Sequence, residues 1–422
     1  MAGWSRRRFL ALGGTAVAAA LAGCADDDDD GAPTTSAATR STTAPTTTSA
    51  ATTTTAATTT TGPAGALAVM DDATRATLDE LFDAQFAATG VTGMAGVVRI
   101  GNGVWTRSTG VADLASGEVF RPGDFMRIAS ITKTFTATAV LQLVDAGRIR
   151  LDDTLETHVP GVVNGTVATI RDLLAMQSGI PDYTANQRFI DQFTADPTLP
   201  WTDADTLAVI AESPGPDFTP GERCAYCDSN YALLGMVLQA VTGEPAGTTI
   251  TSSVIEPLGL TATLYPTDAA IPTPHPTGYV PDLADPGQPF DNAAPPPRVV
   301  NDVNPAVAST AGAIISTLAD LQTWGAELVN GTLLRAGTQA QRLQFRRFDG
   351  VPLDVGYGLG VLNVKEFIGH DGAIFGFSSV VLTRPQTQTQ LAFVANESTN
   401  STTPTMTVAL EVIRALYPDQ LT

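Results

Sequence analysis

The chain has 422 residues, 43% of them hydrophobic, and sets 43 Asp and Glu against 23 Lys and Arg, for a formal net charge of −20. So acidic a protein argues against nucleic acid or anionic lipid as a partner, because both demand clustered positive charge. The length is ample for one large domain with a helical insert.

The first 24 residues read as an export address. Ser5-Arg6-Arg7-Arg8-Phe9-Leu10 precedes an apolar run from Leu10 to Leu21 that is too short to span a bilayer as a mature helix. The paired arginines resemble a twin-arginine signal, and Leu21-Ala22-Gly23-Cys24 resembles the lipobox at which bacterial lipoproteins are cut and lipidated on the Cys. Residues 1–23 are therefore expected to be a signal peptide. A lipidated Cys24 is expected to be the only membrane contact, holding the chain on the outer face of the cytoplasmic membrane. Asp26 to Asp30 and a Thr/Ala/Ser/Pro tract follow, with no aromatic residue or Leu before Pro63. Such a segment buries too little apolar surface to offset its ordering entropy, so residues 24–65 are expected to be a disordered stalk.

From residue 66 to 422 the composition is that of a globular enzyme. Leu78, Leu81, Phe82 and Phe86 at helical spacing predict a helix over 71–89, and short apolar runs on either side of Gly101-Asn102-Gly103 predict a hairpin. A helix is expected over about 131–146, closed by Gly147, with Ser130 at or just before its start. Residues 151–305 read as a helical, proline-dense insert with helices near 170–176 and 230–242. Strand-like runs return at 356–361, 378–383 and 390–395, and a last helix covers about 404–416. Strands from both ends of the chain with helices packed on them predict an α+β architecture.

Only two lysines occur, Lys133 and Lys365. A sequence that otherwise uses Arg for positive charge places Lys133 three residues after Ser130, on one helical face with it. A desolvated amine can serve as a base where guanidinium cannot, and a neighbouring Ser is then a candidate nucleophile. The start of a helix also offers N–H groups to a developing oxyanion. Cys224 and Cys227 are spaced C-x-x-C and leave two outcomes open, a disulfide or two free buried thiols. Histidine is too rare to complete a zinc site, and no metal or organic cofactor is required.

Further segments accompany the Ser-x-x-Lys pair: Ile170-Arg171-Asp172-Leu173-Leu174 with Ser178-Gly179, Tyr226-Cys227-Asp228, Ala311-Gly312, Tyr357-Gly358-Leu359-Gly360 and Gly369-His370-Asp371-Gly372. In this order they resemble the serine β-lactamase and DD-peptidase superfamily, more closely its branch of class C β-lactamases, D-alanyl-D-alanine carboxypeptidases and related esterases. The resemblance implies a β-lactamase/transpeptidase-like fold, an antiparallel sheet flanked by helices with an all-helical insert. It also implies an acyl-enzyme on Ser130 partnered by Lys133, with Tyr226 as proton carrier. His370, Asp371 and Gly372 would then form the substrate-binding strand, and the N–H groups of Ser130 and Ala373 the oxyanion hole. Cations such as Lys133 or His370 are expected to lower Tyr226.

Two departures bear on substrate. Asp228 stands where relatives commonly have an amide, and its charge favours the protonated form of Lys133. Asp371 replaces a Thr that helps bind a substrate carboxylate, which tilts the expectation toward uncharged esters, amides or amine-bearing substrates. Peptidoglycan stem peptides and β-lactams remain the family's alternatives, beside an esterase without a cell-wall role. The rival from another class is a non-catalytic peptidoglycan-peptide binding protein. Ser178, Ser229, His158 and His275 read as structural, and Lys365 as a solvated strand-end charge.

Overall fold

A computed structural model describes residues 69–280, 298–349, 355–398 and 403–418; the segment 1–23, Cys24 and the stretch 24–65 lie outside them. Asp71 accepts a hydrogen bond from the Thr74 N–H at 2.8 Å and so caps α1 (Asp72–Thr89), which Gly90 closes at φ 65°. The expected hairpin follows as β1 (Gly93–Ile100) and β2 (Gly103–Asp113). Strands β3 (Glu118–Val119) and β4 (Met126–Arg127) lead to a 3-10 turn, Ala129–Ile131, that runs straight into α2 (Thr132–Asp145).

The insert contains α3 (Ile170–Leu174), α4 (Gln187–Ala195), α5 (Asp203–Ala211), α6 (Asp228–Thr242) and α7 (Ala246–Ile250). It is not all-helical as expected, for β5 (Tyr279–Val280) and β6 (Arg298–Val299) pair inside it. Then come α8 (Ser309–Gly312), β7 (Ile315–Ser316), α9 (Leu318–Asn330), α10 (Ala336–Arg342) and β8 (Arg346–Arg347). The strand expected over 356–361 is broken. β9 (Val355–Tyr357) stops and β10 (Leu362–Val364) restarts, because the chain turns at Gly360 (φ 82°), whose N–H reaches Leu174 O at 3.1 Å. The chain ends in β11 (Phe367–Ile374), β12 (Phe377–Arg384), β13 (Thr389–Ala395) and α11 (Pro404–Leu416).

Nine strands form one antiparallel sheet in the order β3-β2-β1-β13-β12-β11-β10-β9-β8. Strands from the two ends meet at its middle, with Met94 opposite Ala395 and Arg99 opposite Gln390. Helices α1 and α11 cover one face, Phe82 of α1 stacking on Phe393 with ring centroids 6.2 Å apart. On the other face α9 carries Trp324, which stacks on Phe135 of α2 at 3.9 Å and donates to Thr134 Oγ1 at 2.7 Å. Helix α2 is buried at every residue from Thr132 to Leu141, so Lys133 has no route to bulk water along its own helix.

Candidate active site

Ser130 stands in the 3-10 turn ahead of α2. Its neighbour Ala129 has φ 49°, a left-handed conformation that costs a residue bearing a Cβ about 1–3 kcal/mol. Three contacts hold the turn there. The Ile128 N–H donates to Ile314 O at 3.0 Å, Ser379 Oγ donates to Ile128 O at 2.8 Å, and Gly372 passes close beneath. A Cβ on Gly372 would lie 2.4 Å from Ile128 O, so glycine at this position is a steric requirement of the nucleophile turn. Strand β10 pairs with β11 only at Phe367–Gly369, which frees the β11 edge at Ala373 to line the cleft beside Ser130.

Lys133 is fully buried, and its three donors are all used. Nζ donates to Ser130 Oγ at 2.9 Å, Asp228 Oδ1 at 2.6 Å and Ala311 O at 2.8 Å. The Tyr226 ring lies beneath it, 4.9 Å from Nζ to the centroid. Tyr226 departs from expectation. Burial first, then the Asp228 charge, push its pKa well above 10, so the resting residue is a neutral phenol.

His370 is equally buried. Burial, then the nearby Lys133 charge, pull it down to about 3, leaving a neutral ring. Its Nδ1 lies 2.6 Å from Asp371 O and its Nε2 3.1 Å from the Tyr357 hydroxyl. A carbonyl only accepts, so Nδ1–H donates to it and Nε2 accepts from Tyr357.

Asp371 also departs from expectation. Alternation along β11 turns its side chain to the sheet face that α11 covers, where Thr403 Oγ1 donates to Oδ2 at 3.3 Å. It does not line the cleft, so a repulsion between Asp371 and a bound substrate carboxylate has no geometric basis. Cys224 and Cys227 are two free thiols rather than a disulfide; their Sγ atoms donate to Ala175 O and Ile180 O. Ser178 bonds Asn230, and Ser229 bonds Pro181 O, both away from the cleft. Lys365 occupies a two-residue turn between β10 and β11, with Glu366, at φ 50° and 69°.

Sequence reasoning missed Asp182 and assigned no role to Tyr357 or to the Ala311 carbonyl. Asp182 accepts from Thr184 N at 3.0 Å and from Asp228 N at 3.2 Å, fixing the cleft wall to the start of α6. The cleft is lined by Ser130, Asp228 and Ala373 and otherwise by largely apolar groups, among them Tyr183, Phe189, Val307, Ile374 and Phe375. No Arg, Lys or His is among the described residues lining it. Among the described residues, no three His, Cys, Asp or Glu side chains converge as metal ligands do.

Three carboxyls hold their protons tightly, burial being the first cause in each: Asp371 is pushed up to about 6, Asp182 and Glu397 to about 7. Unfolded, they release those protons near pH 4. Between about pH 4 and 7 the folded chain therefore binds more protons, and stability falls as pH rises. His370 acts oppositely below about pH 6.5, one group against three. The melting midpoint is expected to be higher at pH 5 than at pH 8. Glu397→Gln is expected to flatten that difference, and a midpoint that rises toward pH 8 contradicts it.

A buried lysine held against a serine at a helix start, beside a free strand edge, is the arrangement of serine hydrolases that work with a lysine partner. The chain belongs to the beta-lactamase family, whose family model matches residues 78–412. Penicillin-binding protein 4 of Amycolatopsis lactamdurans is 31% identical over 228 residues, 53% of each chain. Protein flp of Staphylococcus aureus is 32% identical over 174 residues, 40% of this chain and 34% of that one. The chain thus spans about half or less of the curated relatives it matches. Among solved structures, a D-stereospecific amidohydrolase from Streptomyces sp. is 34% identical with a TM-score of 0.71, covering 81% of this chain and 98% of that one. The D-amino acid amidase of Ochrobactrum anthropi SV3, 23% identical with a TM-score of 0.68 over 82% of this chain and 99% of that one, shares the fold.

Proposed function

We propose that the chain is an exported, lipid-anchored serine hydrolase that forms an acyl-enzyme on Ser130, its substrates being neutral or amine-bearing amides and esters with a bulky apolar group beside the scissile carbonyl. One observation carries the reading: Lys133 Nζ meets Ser130 Oγ at 2.9 Å at the floor of an apolar cleft lined by no other cation among the described residues. A β-lactam or a terminal D-Ala-D-Ala peptide brings a carboxylate that such a cleft leaves without a counter-charge. An amide carrying a free amine instead meets Asp228. Similarity to the Streptomyces D-stereospecific amidohydrolase favours the amide branch.

In this mechanism Ser130 Oγ attacks the carbonyl carbon while the N–H groups of Ser130 and Ala373 face the developing oxyanion. The Ser130 proton leaves by a concerted relay: Tyr226 takes it up as it releases its own phenolic proton to the leaving nitrogen or oxygen, whose bond to carbon breaks, while the Lys133 ammonium, bonded to Oγ, stabilises the developing alkoxide. Water then releases the acyl group by the reverse proton path. Neutral His370 positions Tyr226, its ring centroid 6.2 Å away, without adding charge. Export and anchoring rest on Arg6-Arg7 and on Cys24 within Leu21-Ala22-Gly23-Cys24.

The test compares D-phenylalanine amide, its methyl ester and benzylpenicillin. The amide and ester are expected to exceed penicillin in kcat/KM by at least about tenfold, a discrimination of about 1.4 kcal/mol. Equal or better penicillin turnover overturns the substrate assignment. Absence of any Ser130-dependent mass adduct overturns the enzyme itself.

A further inference from the structure

Behind the active site lies a second cavity of about 300 Å³, on the other side of one short wall, residues 305–313. Val307, Ala308, Ala311 and Gly312 of that wall face the active cleft, while Pro305, Ala306, Ser309, Thr310 and Ala313 face the second cavity. The remaining surface of this cavity combines flat apolar groups, Trp201, Tyr265, Pro245 and Pro266, with one carboxylate, Asp203. Asp203 Oδ2 accepts from Gln239 Nε2 at 2.6 Å, and no Arg, Lys or His of the described residues pairs with it. Asp203 lies in the first turn of α5, partly buried with a neutral amide and no side-chain cation beside it, so it has room for a cation partner, and aromatic faces attract cations in their own right. The chemistry that completes such a site is a positive charge on an apolar body.

We propose that this cavity is a second binding site, for a small organic ammonium ion with an apolar body, and that its occupancy is felt at Lys133 through the shared wall. The ammonium group sits on Asp203 and Gln239, its body between Trp201 and Tyr265. Two physical links reach the active site. Tyr265 and Ser309 line the cavity together, and two residues further on Ala311 O takes a hydrogen bond from Lys133 Nζ at 2.8 Å. Ser309 has φ 45°, a strained backbone position in a non-glycine residue, within the wall that the two cavities share. The second link is aromatic. Trp201 stacks on Tyr183 with centroids 6.4 Å apart, and Tyr183, a lining residue of the active cleft, donates to Val307 O at 2.7 Å. Tyr265 itself is fixed, packed flush on Gly247, where a Cβ would lie 2.4 Å from its ring.

The probe is phenethylammonium, with 2-phenylethanol as its uncharged counterpart, measured by calorimetric titration and by kcat for a neutral ester. Wild type is expected to bind the amine at least tenfold more tightly than the alcohol, and Asp203→Asn to lose that preference while keeping its melting midpoint and basal kcat. Ala306→Trp, which fills the cavity from its exposed rim, is expected to weaken binding of both probes. Saturating amine is expected to change kcat at least twofold in wild type and not in Asp203→Asn. Amine binding that is absent, or unchanged in both variants, places no site here and overturns the proposal. Binding that depends on Asp203 but leaves kcat unmoved overturns the link to Lys133.

Discussion

Ser130→Ala is expected to lower turnover of every substrate by on the order of 10⁴- to 10⁶-fold while the protein still folds. The magnitude follows from the geometry, because the other hydroxyls lining the cleft among the described residues are engaged elsewhere, Thr184 Oγ1 donating to Asp182 and the Tyr183 hydroxyl to Val307 O. Ser178 is tied to Asn230 and Ser229 to Pro181, and neither lines the cleft. Tyr226, beneath Lys133, is a neutral phenol. Folding survives because the turn is held by Ile128, Ser379 and the close passage of Gly372, none of which involves the Ser130 hydroxyl. Residual activity within tenfold of wild type contradicts the assignment of the nucleophile.

Lys133→Met is expected to damage both activity and stability. Losing the ammonium bonded to Ser130 Oγ costs turnover by on the order of 10²- to 10⁴-fold. Methionine also leaves Asp228 buried without its cation, a loss of about 3–5 kcal/mol. The two effects separate in a double variant. Lys133→Met with Asp228→Asn removes the orphaned charge and is expected to regain most of the stability but none of the activity. Denaturant unfolding beside initial rates reads both, and a double variant as unstable as the single one contradicts the charge-pair account.

Local chemistry was legible in the sequence where one segment decides the outcome. Asp71 and Gly90 mark the ends of α1 with their own side chain and backbone freedom. Ser130 and Lys133 meet because one helical turn brings them together. Legibility failed where two distant segments decide. Which face Asp371 takes depends on the register of β11 against β12 and on where Thr403 arrives, 32 residues later. The direction in which Tyr226 shifts depends on how deeply the insert buries it, which no spacing records. The third acceptor of Lys133, Ala311 O, is a backbone atom and leaves no trace in residue type. The break after Tyr357 was missed because Gly356 to Val361 has the composition of a strand, yet Gly360 is recruited by Leu174.

The pairing of β1 with β13 has a consequence for how the molecule comes into being. Met94 waits for Ala395, and Ser379 and Gly372, which brace the Ala129–Ile131 turn, are likewise late in the chain. Contacts this far apart in sequence form slowly, and the hairpin of β1 and β2 presents an unpaired edge until they do. A nascent chain that has made Ser130 and Lys133 but not β11 to β13 thus carries its reactive pair in an unbraced turn. Its chemistry switches on as a late event of synthesis, and any truncation before residue 395 removes the centre of the sheet rather than its rim.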